Sequence, residues 1–575
     1  MSSGFTPTGS PPVIASGLLL GPMLRYVDNT SASIWVETAA SCTVEIRSGT
    51  EAWQAATFVA HGHHYALVEV WGLEAGSLRS YTVHLDGDLV WPIEDGFPGS
   101  MISTLDPAKE PRLAFGSCRT SVSHDESGNR THGIDAMRAY ALSMAAPGHG
   151  RWPDLMLFLG DQVYADSTSD EMQEFIRRRR NIKEAPGPEL KDFEEYAHLY
   201  RLAWSDPANR WLLSTLPSAM IFDDHDIRDD WNSSLSWKQK MQKTGWWHER
   251  IVSGLGSYWI YQHLGNLSPT QRAADLLWQR IVNHTGLGEF DLSADLDEFA
   301  ERVDAVPESY SWSYSRDWDE VRLIVVDSRA ARKLEPERRA LLDPVERAWL
   351  DGQMRGGFRH LLIGTSLPFL LPMGLHHVES WDEAISDPNR GRLRAWLGER
   401  LRRRFDLEHW AAFQRSFQEV ARFATEVADG KRGPAPQTVT FLSGDVHFSY
   451  ISEVDREGGS RILQAVCSPI RNPLPPFLRY FAAALAFGPA VPFGAWMASL
   501  AHVPNPPFAW KLIKGPWFDN NLAILEASAD GLALCWLAGV ARDNNPAHPG
   551  LKTVATASLG TRRDDALRQD PSAEK

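Results

Sequence analysis

Four apolar runs of the chain end in side chains able to hold a metal ion or move a proton. Cys118 closes RLAFGSC, Asp161 and Tyr164 close DLMLFLGDQVY, Asp223, Asp224 and His225 close SAMIFDDH, and Asp445 and His447 close TVTFLSGDVH. Thiolate, carboxylate, phenolate and imidazole together mix hard and borderline donors, which suits a transition metal beside a second cation. Two cations held about 3.5–4 Å apart by a bridging carboxylate clamp both the attacking and the leaving oxygen of a phosphoryl group. Asp161 is the expected bridge, because Gly160 lets the backbone turn sharply as its strand ends.

These donors can meet only if the apolar runs are strands of one α/β core. LMLFL and LIVV are apolar on both faces, as in strands covered by helices on either side. VRLIVVDSR, FRHLLIGTS and RILQAVCSP extend the series. In such sheets ligands bind beyond the carboxyl ends of the strands, so separate segments deliver their donors to one edge. Residues before Leu105 instead read as short alternating strands, SASIWVET, CTVEIRSG, HYALVEVWG and RSYTVHLDG, the pattern of a small β-sandwich. The expected organisation is a flexible segment 1–17, an all-β domain 18–105, a linker at 106–111, an α/β catalytic domain 111–545 and a disordered tail 560–575.

With 58 basic and 73 acidic residues among 575, the net charge is −15, which argues against a sequence-independent nucleic-acid binder. The four cysteines form no CxxC, so neither a zinc ribbon nor a disulfide framework is indicated. The N-terminal residues lack a basic leader, a twin-Arg pair and an adequate apolar segment, and cytoplasmic residence is expected. Oligomeric state has no signal. Trp231, Trp237, Trp246, Trp247 and Trp259 read as packing between helices and sheet. Residues 481–501 carry no charge but are interrupted by Pro489 and Pro492; they read as an apolar helix or lid on the domain, with membrane contact as the lesser alternative.

Taken in order, the motifs Gly116-Ser117-Cys118, Gly160-Asp161-Gln162-Val163-Tyr164, Asp223-Asp224-His225 and Ser443-Gly444-Asp445-Val446-His447 resemble those of PhoD-type alkaline phosphatases, within the calcineurin-like metallophosphatase superfamily. Asp327-Ser328-Arg329 and the GPWFDNN stretch at 515–521 add to the likeness. The resemblance implies an αββα metallophosphatase sandwich preceded by a small immunoglobulin- or fibronectin-like domain. It implies that Cys118 and Tyr164 ligate a ferric iron, that Asp161 bridges to a calcium ion, and that Asp223, Asp224, Asp445 and His447 complete the metal spheres. Such cations polarise the phosphoryl oxygens and lower the pKa of the attacking water. His225 then protonates the leaving alkoxide, a task suited to imidazole.

Arg119 and Arg329, each beside a strand end, are expected to hold the nonreacting phosphate oxygens. Asp229, Asp230 and Asn232 either cap a helix or support the calcium site. His376, His377, Glu379, Trp381 and Asp382 are placed at the cleft mouth, and Arg177 to Arg180 on a solvated helix face. Thr365 and Ser366 stand where the superfamily usually has a histidine, a difference that the PhoD-type resemblance shares and that leaves one metal's shell incompletely assigned. The expected activity is hydrolysis of phosphate monoesters or diesters. Its rivals are a phospholipid- or polymer-directed phosphodiesterase with 481–501 as its lid, and a catalytically decayed, metal-stabilised binding protein. The intact His225 speaks against the second rival.

Overall fold

All seven apolar runs from Arg112 onward form strands, and they divide between two sheets in a mixed α/β fold. The computed structural model describes residues 17–387, 391–475, 479, 490–543 and 545–560. Apart from Gly17 and Gly560, the expected flexible N-terminus and C-terminal tail lie outside the described residues, as do 481–489.

The first sheet has six strands in the order Ser218–Ile221, Leu155–Leu159, Arg112–Gly116, Asn521–Ser528, Gly531–Arg542 and Asn545–Gly560. Its first three are mutually parallel, so their carboxyl ends share one edge. The second has seven, in the order Tyr314–Trp318, Val321–Val326, His360–Thr365, Thr438–Ser443, Arg461–Val466, Ser449–Asp455 and Ala509–Trp517. Four consecutive strands of it, from Val321–Val326 to Arg461–Val466, are parallel.

The period of two along a strand explains how both faces of the second sheet are buried. Leu323, Val325, Leu362, Leu442 and Leu463 join the core that contains the first sheet. Their neighbours Ile324, Val326, Leu361, Ile363, Phe441 and Ile462 face the other way, onto Phe417, Val420, Ala424 and Val427 of helix Gln414–Ala428. An apolar run on both faces is therefore what this position requires.

Among the described residues before Arg112, the regular structure is all β. A five-stranded sheet (Leu18–Val27, Ser31–Thr38, His63–Trp71, Phe58–Ala60, Phe290–Asp291) and a four-stranded one share a single core through Ile34, Val36, Val68, Val44, Ile46 and Val83. The outer face of the five-stranded sheet joins the larger core through Met23, Trp35, Tyr65 and Leu67. Its last strand comes from 232 residues downstream, since Phe290 pairs with Phe58. His63 sits at this junction, its ring nitrogens 3.2 Å from Glu37 and 2.8 Å from Glu194 of helix Phe193–Trp204.

Trp231, Trp237, Trp247 and Trp259 are buried in the larger core, with Trp246 packed against it. Arg177, Arg178 and Arg179 are exposed on helix Asp170–Arg179, where they pair with Glu174 and Asp192, while Arg180 is held by Glu195. Among the described residues, no helix is long and apolar enough to cross a membrane.

Candidate metal centre

Where the parallel strands stop, Cys118, Asp161, Asp223, Asp224 and His225 arrive from the first sheet and Asp445 and His447 from the second. Backbone bonds stitch these ends together. The Cys118 amide donates to Gly160 O at 3.3 Å, that of Arg119 to Asp161 O at 3.0 Å, and that of Asp445 to Ser117 Oγ at 3.1 Å. Two glycines permit the approach. A Cβ at Gly160, whose φ is +104°, would stand 2.8 Å from Asp223 Cβ, and one at Gly444 would overlap Ser117 Oγ.

Four of the converging residues have left-handed backbones: Cys118, Asp161, Asp445 and His447, with φ of 56°, 48°, 66° and 56°. Non-glycine residues seldom adopt this conformation, and where it clusters it marks a site at which the fold sustains strain for function. It turns each side chain inward just past its strand.

The donors fall into overlapping groups whose ligand atoms lie within 4.8 Å of one another: Cys118, Asp161 and His447; Asp161, Asp224 and His225; Asp223, Asp224 and Asp445. Asp161 belongs to two groups and Asp224 to two, the arrangement bridging carboxylates require. Tyr164 joins through its hydroxyl, 3.2 Å from Asp161 Oδ2. Cys118 Sγ lies 3.1 Å from Ser117 Oγ and 3.3 Å from Ser468 Oγ.

The electrostatics are those of a cation site. Asp161 Oδ1 and Asp223 Oδ2 are buried without a hydrogen-bond partner. Burial, reinforced by neighbouring carboxylates, drives both acids well above the usual carboxylate range. Burial likewise pushes the Cys118 thiol and the Tyr164 phenol well up, with Asp161 adding to each. Burial lowers His447 to about 4, leaving a neutral imidazole able to ligate. Buried carboxylate oxygens without a partner are costly, and a cation at this point would relieve them while favouring thiolate and phenolate. The residues present thus fit metal ions.

Two arginines are used differently from the sequence expectation. Arg119 is buried, its Nε and Nη2 both donating to Asp135 Oδ2 at 3.0 and 2.8 Å, and its Nη1 donates to Ala203 O. It anchors the loop after Cys118 rather than reaching for phosphate oxygens. Arg329 is also fully buried and donates to Asp223 and Glu408, with Nη2 3.1 Å from Asp224 Oδ1. It holds three carboxylates together against their repulsion, as a buried charge must be paired. A second correction concerns the cleft mouth. His376 is buried against Phe417 and Trp510, Asp382 is fully buried, and Glu379 points inward to His409.

Among the residues after DDH, the amide of Asp230 donates to Asp224 Oδ2 at 3.0 Å, and Asn232 Nδ2 to Arg329 O. Asp230 also groups with Asp406 and Glu408. In the GPWFDNN stretch, Asn520 donates to His132 O and Ile134 O, and Asn521 accepts from Ser449 and Cys467, so both brace loops.

Three functional candidates escaped the sequence reading. Asp166 binds His225 Nδ1 at 2.9 Å; burial alone would lower the imidazole, but Asp166 and Asp224 outweigh it and hold it well above its ordinary value. Asp166 stands two residues after Tyr164, and that proximity was its available signal. His409 bridges Glu379 at 2.6 Å and Asp445 Oδ2 at 2.7 Å. Glu408 pairs with Arg329 and Arg332. His409 and Glu408 lie in a loop, with no strand end to mark them.

A family model described as PhoD-like phosphatase matches residues 122–475, and one described as a domain of unknown function, DUF7800, matches residues 15–102. No curated protein matches by sequence. Among solved structures, one titled "Structure of PhoD" superposes with a TM-score of 0.56 at 13% identity, covering 95% of this chain and 94% of that one, a likeness of fold. GAP50, the anchor in the inner membrane complex of Plasmodium, aligns at 9% identity over 79% of this chain and 90% of its own with a TM-score of 0.32, too low to carry an argument. The phosphatase model covers more than half of the sequence, and the chain belongs to the PhoD-like phosphatase family.

Proposed function

We propose that the protein is a metal-dependent phosphoric ester hydrolase with a binuclear centre, acting on monoesters or diesters by in-line attack of water on phosphorus. The observation that carries this reading is the pair of buried, unpartnered carboxylate oxygens on Asp161 and Asp223, set among a thiol, a phenol and two imidazoles. Cys118, Tyr164, Asp161 and His447 would hold one ion, and Asp161, Asp223, Asp224 and Asp445 the other. The thiol and phenol suit ferric iron and the carboxylates calcium. Bound there, the ions supply charge that polarises the phosphoryl group and lowers the pKa of the attacking water.

The chain's own residues do the rest. Asp166 orients the His225 ring through Nδ1, which leaves Nε2 to deliver a proton to the departing oxygen. Arg329 keeps Asp223 and Asp224 in register, and His409 does the same for Asp445. Within this reading the catalytic domain is 111–545, an αββα sandwich, and 18–105 is an immunoglobulin-like sandwich packed beside it.

Asp161→Asn tests the reading. Removing the bridging charge should release metal and abolish ester hydrolysis while the fold persists by circular dichroism. A variant that keeps both its metals and its turnover would refute the bridge.

A further inference from the structure

Two helices flank helix Met373–Ile385 and turn small residues toward it: Arg392–Phe405 and Ala490–Leu500. Gly494 is buried, and a Cβ there would stand 3.0 Å from His377 Cβ; a Cβ on buried Gly398 would collide with Ser386 Oγ. Other parts of both helices are left bare. Leu393, Trp396, Leu397 and Phe405 on one helix, and Phe493, Trp496 and Leu500 on the other, are each between 47% and 77% exposed. These are seven of the fifteen large apolar side chains exposed among the described residues, so the apolar surface is concentrated here.

Charge is concentrated at the same place. Arg394, Arg400 and Arg404 are exposed on helix Arg392–Phe405, and the helical period puts Leu393, Leu397, Arg400 and Arg404 along one stripe. The Arg400 guanidinium lies 5.6 Å from the Trp396 ring, and that of Arg404 5.6 Å from the Phe405 ring. The first helix, through Ala395, Trp396, Glu399 and Arg402, and the residues just after the second, His502, Val503 and Pro504, line a cavity of about 660 Å³. A protein of net charge −15 thus carries a local basic and aromatic face.

We infer that this face docks on an anionic lipid surface. Aromatic and aliphatic side chains rimmed by arginines are what an interfacial helix uses, the rings entering the headgroup boundary while the guanidinium groups meet lipid phosphates and carboxylates. Neither helix spans a bilayer, so the contact is peripheral. A second copy of the chain is a poorer occupant, because a two-fold contact sets the patch on itself and brings arginine against arginine. Helix Met373–Ile385 beneath also carries Glu379, which holds His409 on Asp445, so the docking face lies one helix from the metal centre.

Flotation of the full chain with vesicles tests this without any reading of turnover, so its outcome is separate from that of the proposed hydrolase. Equal parts phosphatidylserine and phosphatidylcholine should bind roughly tenfold more protein than phosphatidylcholine alone, with binding falling as salt is added. Arg394→Glu with Arg400→Glu and Arg404→Glu should abolish the preference, and Phe493→Ser with Trp496→Ser should weaken binding to both vesicles. The substituted side chains are exposed, and an unchanged melting temperature establishes that each variant folds. The inference is overturned if the wild type ignores anionic vesicles, if its binding is indifferent to salt, or if light scattering finds a dimer that these variants make monomeric.

Discussion

His225 Nδ1 lies 2.9 Å from Asp166 Oδ1, and Asp166 Oδ2 also accepts the backbone amide of Asp229 at 2.5 Å. An ionised carboxylate only accepts, so the proton of this pair sits on Nδ1 and Nε2 is left clear of that bond. Asp166→Asn keeps the shape and removes the charge. Turnover should fall ~10–100-fold with metal content unchanged, as outer partners of a catalytic group commonly cost when altered. Steady-state kinetics beside metal analysis checks this, and loss of metal would place Asp166 among the ligands instead.

His225→Ala removes the proton donor itself. General acid help contributes 10²–10⁴-fold, and the variant should lose about that factor in kcat while keeping its ions. In the double variant with Asp166→Asn the losses should not add, because both act through one imidazole. Full additivity would separate the two residues.

Tyr164 offers a spectroscopic handle. If its phenolate ligates ferric iron, the purified protein absorbs in the visible, and Tyr164→Phe abolishes the band. A band that survives the substitution assigns the iron elsewhere.

Glu379 and His409 brace Asp445 from outside the centre. In Glu379→Gln the imidazole loses one of its two anionic partners, the one that holds it against Asp445. Affinity for the more weakly held ion should drop ~10–100-fold, measured by titration of metal-stripped protein. Unaltered affinity would make the chain from Glu379 to Asp445 a purely structural one.

Stability should also respond to pH through His63, where the N-terminal β region meets helix Phe193–Trp204. Burial lowers its pKa, yet hydrogen bonds donated to Glu194 and Glu37 prevail and raise it to about 9 from an ordinary 6.5. The folded form therefore binds the proton more tightly, and this contribution is complete below pH 6.5 and lost as pH climbs toward 9. His63→Gln should flatten the fall in melting temperature across that window. An equal fall in both proteins would contradict it.

Much of the site was legible because it sits at strand ends. Apolar runs such as LMLFL announce buried strands, and a polar residue just past one has nowhere to go but the shared edge. Cys118, Asp161, Asp223, Asp224, Asp445 and His447 were all placed this way, and the structure brings them together. Arg119 and Arg329 were misread because position beside a strand end fixes only the backbone; buried carboxylates, Asp135 for one and Asp223 with Glu408 for the other, take the guanidinium groups first. His409 had no periodic signal at all, since its loop is placed by tertiary packing. Nothing in the sequence reading pointed to helix Arg392–Phe405, and its exposed apolar side chains emerge once its neighbours are known.

The most direct test of the account is hydrolysis of a generic phosphomonoester and a generic phosphodiester by the purified chain, with metal measured on the same sample and Asp161→Asn alongside. The account predicts about two ions per chain, in keeping with a two-metal clamp, and turnover of at least one ester that disappears with the ions in the variant. A wild type that holds both metals and cleaves neither ester would contradict it.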